Sequence, residues 1–147
     1  MIAVTFEFDR FKNEDHHKEI HEMIMTRAGL LPSWVQFVQV SDSEIEDGGG
    51  HAAIMCMPEY RKVLILIPAA FWTNSKAKRE QTLTHEFMHA IIDPICGWGR
   101  KQVLPLVENE PLRKFIEGEW VLRMESIVQE LTHITGQLLE NFKGFKS

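Results

Sequence analysis

His85-Glu86-Phe87-Met88-His89 sets two imidazoles four residues apart, with a carboxylate beside the first. On a helix, that spacing puts both rings on one face, about 6 Å apart along the axis. Two such rings can converge on one Zn²⁺ at about 2.0 to 2.1 Å each. Glu86, rotated by about 100°, can reach a zinc-bound water without being a ligand. Zinc lowers the pKa of that water, and the carboxylate takes its proton as it attacks a polarised carbonyl. The chemistry expected of this segment is metal-assisted hydrolysis, with His85 and His89 as ligands and Glu86 as general base.

The surrounding residues favour that reading over a buried structural pair. On a helical wheel Ala77, Leu83, Thr84, Phe87, Met88, Ala90 and Ile91 fill one broad arc. His85, His89 and Glu86 occupy a separate arc beside it. A catalytic zinc usually has three protein ligands plus water, so a third is required. Asp93 continues the histidine face but lies about 12 Å from His85 along a straight helix, too far for a short side chain. A supporting role behind His89 suits it better. The extended metzincin pattern needs Gly at Ile92 and His or Asp at Ile95, and is absent. The remaining carboxylates are Glu108, Glu110, Glu117, Glu119, Glu125 and Glu130. Glu125 borders an apolar stripe of Trp120, Met124, Ile127, Val128, Leu131, Thr135 and Leu138, whereas Glu117 falls nearer its centre. Glu119 and Glu130 point away. The residues alone leave Glu125 and Glu117 both open.

The elements that must hold these groups follow from periodicity. Val4 to Phe8 reads as a short strand, and Asn13 to Arg27 as an amphipathic helix closed by Gly29 and Pro32. Trp34 to Val40 is a strand, and acidic Ser41 to Gly50 an exposed mobile loop. Ala52 to Met57 and Lys62 to Ile67 are strands joined by a turn near Pro58-Glu59, the second covered on both faces. A helix is expected from Ser75 to Ile92, capped by Asn74 or Ser75 and stopped at Asp93-Pro94. Cys96 to Asn109 reads as loop. A long helix follows from Pro111 to about Phe142, with Gly118 and Gly136 as weak points. This order makes an α+β domain spanning 1–147.

Leu83-Thr84-His85-Glu86-Phe87-Met88-His89-Ala90, followed by Glu125-Ser126-Ile127-Val128-Gln129-Glu130-Leu131, resembles the small single-domain zincins of bacteria and phages, of gluzincin type. The resemblance spans roughly residues 34 to 142. It implies a zincin-like fold: a small, mostly antiparallel or mixed sheet packed on the HExxH helix and a long C-terminal helix. It implies Glu125 as the third ligand, from the Glu-x-[VI]-V-x-x-Leu pattern; many relatives carry a second acidic residue where this chain has Met124. It also implies that Lys62 to Ile67 forms the upper rim of the cleft, with an exposed edge for an extended peptide. The activity implied is that of a zinc metallopeptidase acting on a peptide or protein. The alternative is a catalytically silent zincin-fold module, for example in a phage particle; an intact Glu86 argues against it.

Composition narrows the partners. The chain of 147 residues carries 16 Lys plus Arg against 21 Asp plus Glu, a formal charge of -5. Without a basic stripe it is not expected to bind nucleic acid or an anionic membrane. The longest apolar run, Val63 to Trp72, is interrupted by Pro68 and too short to span a bilayer. The first ten residues lack the pattern of a secretory signal. Cys56 and Cys96 read as buried free thiols of a reducing cytosol. His16, His17 and His21 read as solvated, and Trp34, Trp72, Trp98 and Trp120 as core or cleft wall. His51 and His133 could bind an oxyanion, but nothing in the sequence positions them.

Overall fold

Apolar alternation builds one four-stranded sheet, seen in a computed structural model that describes residues 4–43 and 51–144. Its strands are β1 (Thr5–Asp9), β2 (Phe37–Ser43), β3 (Ala53–Met57) and β4 (Lys62–Pro68), in the order β1-β2-β4-β3. β1 with β2 and β2 with β4 are parallel; β3 with β4 is antiparallel. The sheet is therefore mixed rather than mostly antiparallel. β4 is central, flanked by β2 and β3, so the expected exposed edge at Lys62 to Ile67 does not exist. The short turn at Pro58–Tyr60 folds β3 and β4 into a hairpin, which moves the edge to β3.

Among the described residues three α-helices accompany the sheet: α1 (Glu14–Arg27), α2 (Lys76–Val103) and α3 (Glu110–Gly144). Val38, Val40, Val63, Ile65 and Ile67 project from the sheet into one core with Ile20 and Ile24 of α1, Leu83, Phe87 and Ala90 of α2, and Val128 of α3. Each of these Val, Leu, Ile and Phe side chains contributes about 1.5 to 3 kcal/mol on burial. Asn13 caps α1, its Oδ1 accepting from the Asp15 and His16 amides. Ser75 caps α2, its Oγ accepting from the Lys78 amide.

Several sequence expectations are corrected. Ser41 to Ser43 extend β2 rather than opening a loop, while 44–50 lie outside the described residues. Trp34 to Gln36 precede β2. Pro94 does not end α2, which runs on to Val103 through most of the expected loop. A proline inside a helix costs about 3 kcal/mol through its missing N–H and its clash with the preceding turn. Packing offsets that cost: the last turns of α2 lie against α3, where Gly99 meets the Trp120 ring and Arg100 pairs with Glu117 at 3.8 Å. α3 is continuous through Gly118 and Gly136. Its apolar stripe is only partly core, because Val128 is fully buried whereas Ile127 and Leu138 are half exposed.

The histidines of α1 are not simply solvated. His16 stacks on Trp72 at 3.7 Å, and His17 meets the Phe8 ring edge-on at 4.9 Å. Trp98 is exposed rather than core, and Cys56 and Cys96 are half-buried free thiols. No helix among the described residues is long and apolar enough to cross a membrane.

Candidate metal centre

α2 and α3 pack side by side, and the facing residues His85, His89 and Glu125 meet between them. His85 Nε2 and His89 Nε2 are 3.1 Å apart. Glu125 Oε1 lies 3.4 Å from His89 Nε2, and Glu125 Oε2 lies 3.6 Å from His85 Nε2. Around a tetrahedral ion with bonds of 2.0 to 2.1 Å, neighbouring ligand atoms stand about 3.3 Å apart. Each imidazole is near that spacing from the other and from one Glu125 oxygen, and one ligand atom from each of the three residues lies within 4.8 Å of the others, so the group could hold a metal ion.

The other carboxylates separate clearly from this group. Asp93 is not in the triad; its Oδ1 sits 2.9 Å from His89 Nδ1. With Nε2 turned to a metal, Nδ1 carries the proton and donates to Asp93, which fixes the ring's tautomer and orientation. Glu117 is about 12 Å from Glu125 along α3 and pairs with Arg100.

Glu86, beside the triad, is buried, and so is His89 within it. The sequence wheel separates them from the apolar arc, and the covering they receive comes from neighbouring elements, β3 among them. Burial pushes the Glu86 carboxyl up to about 7, against the pull of His89 and the hydrogen bond from the Ile54 amide of β3. Burial also holds His85 below the ordinary imidazole range, and the nearby charges of His89, His51 and Lys78 act the same way, opposed by Glu125. At His89 burial disfavours the charged ring, but the Asp93 hydrogen bond and the charges of Asp93, Glu125 and Glu86 prevail and raise its pKa.

The group opens into a cleft of about 560 Å³. His51 and His133, which the sequence left unplaced, both line it, with Lys78, Gln81, Thr82, Gln129 and Thr132. Sequence reasoning passed over these last five, although periodicity held the signal. Lys78, Gln81 and Thr82 extend the His85 face by one and two turns, and Gln129 and Thr132 extend that of Glu125.

No protein-family model matches the chain, and neither a curated protein nor a solved structure does. The functional reading accordingly rests on the site itself.

Proposed function

We propose that the chain is a zinc-dependent metallopeptidase of zincin-like fold, with His85, His89 and Glu125 as ligands. The observation that carries this is the convergence of three ligating side chains, two imidazole nitrogens 3.1 Å apart with one Glu125 oxygen 3.4 Å from that of His89 and the other 3.6 Å from that of His85, with a buried glutamate next to them. A neutral imidazole pair plus one carboxylate is a donor set suited to Zn²⁺. When bound, zinc would supply a Lewis acid that lowers the pKa of water and polarises a carbonyl.

The protein's own groups would do the rest. Glu86 sits behind the ligands rather than among them, and a nearby dication favours its carboxylate form. It would take a proton from the water that attacks the scissile carbonyl, then pass it to the departing amine. The Ile54 amide holds that carboxylate in place. β3, bound to β4 along one edge and contributing Ile54 to the site, suits an extended peptide added as a further strand. The antiparallel edge strand beside the HExxH helix is also what supports the zincin-like reading of the fold. The free thiols are compatible with a reducing cytosol, which we propose as its compartment.

The test is cleavage of a broad peptide library by the zinc-reconstituted chain. Wild type should cleave and Glu86→Gln should not, while both retain zinc. Equal cleavage by the two would remove the general-base role. Zinc binding without cleavage by wild type would instead indicate a catalytically silent module.

A further inference from the structure

The cleft continues beyond His85. A second groove of about 540 Å³ lies between the start of α2 and the end of α3. Lys78, Gln81, Thr132 and His133 line both spaces, so the second groove adjoins the metal-centre cleft at these residues. A hydrolytic centre with a long groove on one side is built for an extended chain rather than a small molecule.

The charge at the junction has a definite sign. Lys78 lies about 10 Å from His85 along α2, on the same helical face. Its ammonium makes no ion pair among the described residues. Glu80, which also borders the groove, is turned to Arg27 at 3.9 Å. Glu140 stands at the far end of the groove, about 12 Å beyond Lys78 along the helix axes, further than a Debye length at physiological salt. An extended peptide advances about 3.3 Å per residue, so 10 Å corresponds to about three residues.

From this juxtaposition we infer that the groove binds the extended part of the substrate, and that Lys78 selects an acidic side chain about three residues from the scissile bond. The inference rests on the peptidase reading above and adds a substrate class to it. Lys78 is exposed, so replacing it leaves the core untouched and reaches the triad only through the charge it exerts on His85.

The experiment uses the full chain reconstituted with zinc and peptides that differ at one position, Asp or Glu against Asn or Gln. That position is moved from one to five residues on each side of the cleaved bond. An acidic residue about three places away on one side should raise kcat/KM about fivefold, less at high salt. With zinc kept saturating and its content checked for each variant, Lys78→Met should abolish the preference and Lys78→Glu should reverse it. No acidic preference in wild type, or a preference that survives Lys78→Met, overturns the inference. The same peptides are titrated by fluorescence anisotropy onto zinc-loaded Glu86→Gln and onto Glu86→Gln with Lys78→Met. If nothing is cleaved, the peptidase reading fails. Acidic selectivity in binding that disappears with Lys78→Met still supports the groove assignment, and equal binding of acidic and neutral peptides overturns it.

Discussion

Asp93 Oδ1 stands 2.9 Å from His89 Nδ1, one helical turn beyond the ring it orients. The contact follows from the helix reaching Asp93, which it carries past the motif at the i+4 position. A carboxylate behind a metal-binding imidazole fixes its tautomer and raises its basicity. Asp93→Ala should therefore weaken zinc binding about 10- to 100-fold without abolishing it. A competing-chelator titration measures this. Unchanged affinity would mean that the hydrogen bond does not serve the site.

Arg27 fixes the rotation of α2 through Thr84. Its guanidinium donates to Thr84 Oγ1 at 2.8 Å and to the Met23 carbonyl at 3.0 Å, and is almost fully buried. Thr84 is the residue before His85, so this bond ties α1 to the helix that carries the motif. Arg27→Ala should cost about 2 to 3 kcal/mol, from lost charged hydrogen bonds and stem packing. Denaturant unfolding checks it; an unchanged midpoint with an unchanged slope would contradict the clamp.

Two glycines of the long helices separate propensity from packing. A Cβ at Gly118 would meet nothing within 4 Å, whereas one at Gly99 would stand 3.0 Å from Trp120 Cζ2. Gly118→Ala should gain about 0.5 to 1 kcal/mol from helix propensity and reduced unfolded-state entropy. Gly99→Ala should gain clearly less, or lose stability. Equal gains by thermal or chemical unfolding would remove the close α2–α3 contact at Trp120.

Much of the site was legible because its signals are local. The spacing of His85, Glu86 and His89 specifies one helix face, and the apolar stripe around Val128 marks the side of α3 that packs. Glu125 follows from the stripe only in company with Glu117; the resemblance favoured Glu125, and the distances to both imidazoles now separate the two. What escaped the sequence depends on tertiary contact. Pro94 reads as a stop until packing on α3 offsets its cost. Strand periodicity gives no sheet order, so the free edge was assigned to β4 instead of β3. His16 has no local sign that Trp72 will cover it, and His51 lies in a loop whose place no period encodes.

Cys56 reports on burial next to the site. Burial, then the charges of Asp93 and Glu86, push its thiol up to about 12. At pH 8 only about one molecule in 10⁴ carries the thiolate, the form that alkylates. Iodoacetamide at that pH should leave Cys56 unlabelled in the folded protein and label it in denaturant, as read by peptide mapping. Labelling of Cys56 at the unfolded rate would place β3 away from α2.

The central claim is that His85, His89 and Glu125 make one zinc site. Its most direct test is zinc stoichiometry with a competing-chelator titration of wild type, Glu125→Ala and Glu117→Ala. We predict about one zinc per chain, an affinity lowered by at least about 100-fold in Glu125→Ala, and no change in Glu117→Ala. Substoichiometric zinc in the reconstituted wild type, or loss of zinc from Glu117→Ala but not from Glu125→Ala, would contradict the account.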